Sequence, residues 1–266
     1  MKKKATIDFG SASNIGMIRE ENQDALGHFP PGHMDLEMPK GKMFIVADGM
    51  GGHRAGATAS SMAVTTVSEE YFSYEGSSIP DCLQHAFQHA NARIYELSSR
   101  DGEYSGMGTT CTALVLKDTS AYIGHIGDSR VYRITSNKVI QLTNDHSKVA
   151  EMVRRGIITK EEAKNHPERS HLYRAMGVRP SAEIDLVIDI ALNTSESFLI
   201  CTDGLYEYVQ EEEMRQIVLS KRPQVACDFL IHEANDRGGR DNISVQVINV
   251  SYSGSFLEKL MWWEAK

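Results

Sequence analysis

Four aspartates in the sequence stand at the edge of a short apolar run, each beside a glycine, serine or asparagine. They are Asp48 in FIVADG, Asp128 in YIGHIGDSR, Asp203 in FLICTDG and Asp241 in GRDNISV, and Asp24 stands just before another run, in NQDALG. Each one alone is equally well explained as part of an ordinary turn, because Asp next to Gly, Ser or Asn favours turns. Strand ends can meet at one rim of a sheet, however, and five carboxylates there would repel one another unless cations were present. The joint pattern therefore indicates a cation site.

Carboxylates held at strand ends favour a hard divalent cation, Mg²⁺ or Mn²⁺. Two such ions bridged by a shared carboxylate can lower the pKa of water from about 15.7 toward about 7 and hold a phosphoryl group for in-line displacement. The sequence has no CxxxxxR cysteine-phosphatase motif, no GxSxG nucleophile elbow and no GxxxxGK[ST] phosphate loop. These features together predict metal-dependent hydrolysis of a phosphate ester.

The composition excludes several other classes of protein. The 266 residues carry 28 Lys and Arg against 36 Asp and Glu, a net charge of -8, which argues against broad nucleic-acid binding. No apolar run approaches the roughly 20 residues of a membrane span, and the basic start MKKK is not followed by the apolar core of a signal peptide. The four cysteines are too far apart for a CxxC zinc motif. We expect a monomer in the reducing cytoplasm.

The elements that must position the aspartates follow from hydrophobic periodicity. Alternating and β-branched residues predict strands at 6–13, 24–28, 44–48, 184–191, 198–202 and 243–250, with four short strands between 108 and 143. Helical spacing predicts helices at 55–72, 81–97 (capped by Asp81), 148–155, 160–166, 211–220 and 223–236. Short connectors favour antiparallel hairpins. The predicted fold is α/β of the α+β type: a four-layer α-β-β-α sandwich of two mainly antiparallel sheets flanked by helix pairs.

Eight segments, in order along the chain, resemble the metal-dependent Ser/Thr protein phosphatases of the type 2C (PPM) family, most of all its bacterial branch. They are GMIREENQDALG, FIVADGMGGHRAGATAS, GTTCTALVL, AYIGHIGDSRVYRI, QLTNDHSKV, LYRAMG, FLICTDGLYEYV and GRDNISVQVI. The resemblance covers residues 11–250 and implies a β-sandwich between paired helices, as the periodicity also predicts. It suggests a phosphatase domain at 1–252, with a basic flap inserted at about 145–180, and a short amphipathic tail at 253–266.

The resemblance implies a metal centre of two Mn²⁺ or Mg²⁺ ions and room for a third. Asp48 would bridge the two core ions, and the Gly49 carbonyl would bind one of them. Asp203 and Asp241 would bind the other, and Asp128 would hold a third, weaker ion together with Asp203. The implied reaction is hydrolysis of phosphoserine and phosphothreonine by in-line attack of a metal-bridging hydroxide, with no phosphoenzyme.

Three further residues take roles from the resemblance. Arg19 would grip the substrate phosphate as a bidentate partner. Asp24 would orient the attacking water or bind metal, and Asn242 would support the site.

The flap is expected to position phosphorylated proteins, and the resemblance implies a Ser/Thr kinase as the opposing partner. Residues 148–179 hold eight Lys or Arg against four Glu in an otherwise acidic chain. Arg154, Arg155 and Arg174 are the flap residues that we expect to face substrate.

Several positions depart from the family pattern or leave a role open. Gln23 stands where some members carry Glu, which removes one negative charge near the metals. Met50 stands where eukaryotic members place a histidine proposed as general acid, so the proton for the leaving group must come from another source, such as His53, water or solvent. We interpret His146 as structural, and the family pattern assigns no role to Tyr173, which stands where relatives often have Thr.

Two alternatives to a protein phosphatase remain on the sequence alone. One is an inactive phosphoprotein-binding module of the same fold, against which the four aspartates Asp48, Asp128, Asp203 and Asp241 argue. The other is a phosphoesterase for small molecules, which the broad basic flap disfavours.

Overall fold

The computed structural model describes residues 4–32, 36–52, 54–100, 102–193 and 195–253. The predicted tail beyond residue 253 and the candidate acid His53 lie outside these ranges. Within them, no helix is long and apolar enough to cross a membrane.

The strands form two sheets in which all the pairings are antiparallel. The order in sheet 1 is β1 (Lys4–Asn14), β11 (Ile243–Ser253), β10 (Glu196–Cys201), β7 (Arg130–Ile134) and β8 (Val139–Gln141). The order in sheet 2 is β2 (Asp24–Phe29), β3 (Lys42–Met50), β5 (Cys111–Lys117), β6 (Ser120–Ile126) and β9 (Asp185–Ala191), and the short β4 (Gly108–Thr109) also pairs with β3.

Helices cover the outer face of each sheet. Sheet 2 is covered by α1 (Arg54–Ser73) and α2 (Ile79–Arg100), and sheet 1 by α5 (Asp203–Tyr206), α6 (Glu211–Ser220) and α7 (Pro223–Asp236). The flap segment contains α3 (Lys148–Arg154) and α4 (Lys160–Lys164), and a 3-10 turn spans Gly102–Tyr104.

Three apolar clusters separate the layers. The cluster between the sheets includes Phe44, Leu114, Phe198 and Ile248, all fully buried. A second cluster lies between sheet 2 and the α1–α2 pair, and a third between sheet 1 and α5–α7. The predicted four-layer α-β-β-α sandwich is confirmed. All four cysteines are buried and unpaired, as small core residues are expected to be.

Two local predictions were wrong. The second helix begins at Ile79, before Asp81, because the Ser78 hydroxyl accepts the Asp81 N–H at 3.2 Å and Pro80 is tolerated in a first turn. The expectation that short connectors close antiparallel hairpins fails at Gly127–Asp128, between two of the strands predicted at 108–143, because β6 lies in sheet 2 and β7 in sheet 1. The turn that carries Asp128 therefore crosses from one sheet to the other.

Candidate metal centre and active site

Strand register places two of the predicted aspartates side by side. Asp24 at the start of β2 is the direct antiparallel partner of Asp48 near the end of β3. Side chains opposed in this way have Cβ atoms about 4.5–5.5 Å apart, and like charges there are destabilising. The pair needs a neutralising partner between or beside the two carboxylates.

The backbone of Asp48 is fixed by hydroxyl groups of the neighbouring strand. Its N–H donates to the Thr110 hydroxyl at 2.8 Å, and its carbonyl accepts from the Thr109 hydroxyl at 2.8 Å. The next residue, Gly49, is required by close approach: a Cβ there would lie 2.1 Å from the carbonyl oxygen of Gly56 in α1. The end of β3 is thus rigidly packed against the first turn of a helix.

Sheet 1 supplies Asp203 from the first turn of α5, directly after β10. Thr202, the preceding residue, donates its hydroxyl to Asp24 Oδ2 at 2.9 Å and accepts the Ser244 N–H at 3.0 Å. Because Asp24 belongs to sheet 2, this hydroxyl bond joins the two sheets at the site.

The turn that carries Asp128 is held by a partly buried network around Arg130. The Tyr206 hydroxyl donates to the Asp128 carbonyl at 3.2 Å, and the Arg130 guanidinium lies 3.5 Å from the centre of the Tyr206 ring. Arg130 also donates to the Asp145 carboxylate at 2.6 Å. Asp128 is therefore fixed relative to α5, the helix that carries Asp203.

Asp241 is paired with the predicted phosphate ligand. Arg19 Nη2 lies 2.6 Å from Asp241 Oδ2, an ion pair whose side chains are 51% and 34% exposed. Asn242 anchors the surrounding loop: its amide donates to the carbonyls of Ile15 at 2.9 Å and Glu21 at 3.0 Å. It also accepts the Gln23 N–H at 2.8 Å. Asn242 thus positions the segment that bears Arg19, in line with the supporting role that the family resemblance implies.

The carboxylates strongly perturb one another. Burial raises the pKa of Asp24 to about 7 and that of Asp128 to about 7. Burial, followed by repulsion from Asp24, Asp203, Asp128 and Asp241, raises the pKa of Asp48 well above its ordinary range. Burial, followed by repulsion from Asp128 and Asp241, likewise raises the pKa of Asp203 well above its ordinary range. The five predicted aspartates therefore share one electrostatic site.

Two oxygens of this site are suited to a cation. Asp24 Oδ1 and Asp203 Oδ1 are buried and have no hydrogen-bond partner, which is costly for a carboxylate. No three His, Cys, Asp or Glu side chains in the described ranges lie close enough to surround one ion by themselves. Mg²⁺ commonly takes only one or two carboxylates and keeps several waters. A hard cation that retains part of its water shell therefore fits this donor set.

Glu207 is an acidic neighbour of the site that the sequence reasoning missed. It ends α5 four residues after Asp203, donates its N–H to the Asp203 carbonyl at 3.1 Å, and so lies one helical turn away. Its charge contributes to the raised pKa values of Asp128 and Asp203. The i, i+4 spacing in DGLYE is the signal that could have revealed it.

The three flap arginines are engaged in contacts within the protein. Arg154 donates to Glu151 at 2.8 Å and to the Asp145 carbonyl at 3.1 Å, and Arg155 donates to Glu151 at 2.6 Å. Arg174 lies 2.6 Å from Glu183 and 3.0 Å from Asp185. Contact with substrate by these side chains stays a prediction.

His146 connects the flap to the Asp128 turn, and Tyr173 makes contacts within the flap. His146 Nδ1 accepts the Gly127 N–H at 3.1 Å, and Nε2 lies 3.1 Å from Asp185. The Tyr173 hydroxyl accepts from Arg154 at 3.0 Å. These contacts support the structural interpretation of His146 and give Tyr173 a role that the family pattern had not indicated.

Comparisons with known proteins agree with the fold and the site. The family model described as Protein phosphatase 2C matches residues 19–227. The serine/threonine phosphatase stp of Listeria innocua is 39% identical over 238 residues, which is 88% of this chain and 92% of the relative. The serine/threonine phosphatase structure from S. agalactiae has a TM-score of 0.83 and 32% identity, covering 91% of this chain and 98% of that one. The catalytic domain of PstP, solved in complex with two manganese ions, has a TM-score of 0.78 and 26% identity, covering 93% and 99%.

The chain belongs to the protein phosphatase 2C family. The predictions of the family, of the fold and of a Ser/Thr protein phosphatase activity are confirmed. The family is metal-dependent.

Proposed function

We propose that this protein removes phosphate from phosphoserine and phosphothreonine of cytoplasmic proteins, with two Mn²⁺ or Mg²⁺ ions held by its strand-end aspartates. The observation that carries the proposal is the group of five carboxylates at the junction of the two sheets, with Asp24 directly opposite Asp48 in the β2–β3 register. Their mutual repulsion and the two unpartnered buried oxygens support a site that requires cations.

The proposed ligand roles follow the family pattern. Asp48 and the Gly49 carbonyl would hold the core ions with Asp203 and Asp241, and Asp128 would hold a third ion with Asp203. When bound, the ions supply positive charge that lowers the pKa of water toward about 7 and stabilises an in-line phosphoryl displacement.

The chain's own residues orient substrate and water. Arg19 would bind two phosphate oxygens with its guanidinium. Because that guanidinium now lies 2.6 Å from the Asp241 carboxylate, it would have to leave Asp241 in order to bind the phosphate. Asp24, held by the Thr202 hydroxyl, would accept a hydrogen bond from the attacking water and fix its direction. Holding both reactants in one geometry removes much of the entropic barrier to the displacement.

We infer further that a Ser/Thr kinase supplies the substrates, since hydrolysis of phosphoserine and phosphothreonine requires a kinase that makes them. The flap, with its exposed basic residues beside the site, suits peptides better than small phosphate esters. Action in the cytoplasm accords with four buried thiols and no disulfide.

The test measures hydrolysis of a phosphothreonine peptide, a nucleotide and a sugar phosphate at increasing Mn²⁺ and Mg²⁺ concentrations. EDTA is then added to remove the metal and should stop hydrolysis. We expect metal-dependent turnover with the peptide preferred. Asp203→Asn should lose both turnover and calorimetric Mn²⁺ binding, whereas Asp228→Asn, a change at an exposed carboxylate of α7, should keep both. Preference for the small esters would favour the phosphoesterase alternative, and no turnover with either metal would leave the inactive binding module.

A further inference from the structure

The two most exposed large hydrophobic side chains among the described residues, Ile18 and Met17, directly precede Arg19 in the chain, and Ile15 nearby is also exposed. Ile18 is 68% exposed, Met17 65% and Ile15 37%. We call these three residues the apolar rim. Exposed apolar groups that cluster at the edge of a polar site commonly mark a binding surface.

The loop that carries the apolar rim is rigidly held. The Met17 N–H donates to the Gly239 carbonyl at 2.7 Å, and the Ile15 carbonyl accepts from the Asn242 amide at 2.9 Å. Gly16 has a φ of +81°, and a Cβ there would lie 2.2 Å from the Asp241 carbonyl oxygen. The loop is therefore pressed against the segment that bears Asp241, and Met17 and Ile18 project outward from a fixed backbone.

The apolar rim is continuous with the proposed phosphate site. Arg19 follows Ile18 directly and reaches Asp241 with its guanidinium. A phosphate gripped by Arg19 would place the rest of a peptide within reach of the side chains just before it. Glu20 follows Arg19 and is exposed, so its negative charge would repel an acidic residue of a peptide bound beside Arg19.

We propose that the apolar rim binds an apolar side chain of the phosphoprotein, within two residues of the phosphorylated serine or threonine. The proposal rests on the proposed function and adds a sequence preference to it. Its physical basis is that covering Met17 and Ile18 removes apolar surface from water without disturbing the fold, since the backbone beneath is already held.

The experiment compares phosphothreonine peptides that differ only in the two residues on each side, with leucine, glycine or aspartate there. The wild type should show a KM about tenfold lower for the leucine peptide than for the glycine peptide. The KM for the aspartate peptide should be the highest of the three. Ile18→Ser and Met17→Ser should bring the leucine-to-glycine KM ratio toward one. Ile18→Leu should preserve the ratio, and so should Val225→Ser, a control on α7 at a residue 52% exposed.

Three results would overturn the proposal. The first is equal KM values for the leucine and glycine peptides in the wild type. The second is a leucine preference that survives in the Met17→Ser, Ile18→Ser double variant. The third is a dimer by light scattering that the same serine changes dissociate, which would assign the apolar rim to self-association. The wild-type rate on p-nitrophenyl phosphate with Mn²⁺ tests the proposed function separately, because that substrate has no flanking residues.

Discussion

Asp128→Asn should stabilise the metal-free protein at alkaline pH, because the change removes a charge that the fold holds unfavourably. Burial, together with the neighbouring Asp145 carboxylate, raises the pKa of Asp128 from 3.8 to about 7. At about 1.4 kcal/mol per pKa unit, this rise in the pKa of Asp128 corresponds to about 4 kcal/mol. Since the side chain is only half-buried and solvent screens part of the repulsion, we expect about 2 kcal/mol.

The pH window follows from the sign of the shift. A carboxyl group whose pKa is higher in the folded protein binds more protons when folded than when unfolded. Below about pH 4 the group is protonated in both states, so the folded protein carries no penalty from its charge and the group's contribution to stability is complete. That contribution is lost as the pH rises toward about 7, where the folded group ionises. Asparagine does not titrate, so the difference between variant and wild type should be near zero at about pH 4 and full at about pH 8.

The assay is differential scanning calorimetry in EDTA across this range of pH. A gain of about 2 kcal/mol in a chain of this size raises Tm by about 4–8 °C. Asp8→Asn, at an exposed position of β1, is the matched control and should shift Tm little at any pH. With Mn²⁺ the order should reverse, because the wild type gains more from bound metal. A variant that melts below the wild type in EDTA at alkaline pH, or a Tm difference independent of pH, would refute the reasoning.

Other changes test single contacts. Arg19→Ala should lower kcat/KM on a phosphopeptide about a hundredfold, yet leave the melting temperature nearly unchanged in calorimetry, because the Arg19 ion pair is solvent-exposed. Gly49→Ala should lower the free energy of unfolding in urea by about 1–3 kcal/mol through its clash with α1, whereas Gly102→Ala, with open space around it, should not. His146→Ala should speed tryptic cleavage within the flap, because it removes the contacts to Gly127 and Asp185; unchanged cleavage would show that the flap is held by other contacts.

Local sequence carried enough information to place most elements and the aspartates. Asp48 and Asp203 follow buried runs, and the strand ends predicted from those runs agree with the structure within a residue or two. The helices at 211–220 and 223–236 match α6 and α7, since Pro223 at the first helical position and acidic residues in the first turn of α6 mark their starts.

What the sequence could not supply was pairing over long separations. The partnership of Arg19 with Asp241 joins residues more than two hundred positions apart. The crossing of the Asp128 turn between sheets was also invisible, because a short connector looks the same whether it closes a hairpin or changes sheet. The flap arginines illustrate a further limit: a net positive count does not reveal that Glu151, Glu183 and Asp185 occupy their guanidinium groups.

The interior position of β11 in sheet 1 has a consequence for biosynthesis. This strand is the last along the described chain, yet it lies between β1 and β10, and Asp241 stands just before it. A nascent chain therefore exposes an unpaired β1 edge throughout elongation, and no incomplete polypeptide lacking β11 can close sheet 1. Since proteins are made at about 5–20 residues per second, that edge stays open for many seconds and is a natural target for chaperones. Enzyme activity should consequently appear only once β11 has left the ribosome, all at once rather than in stages.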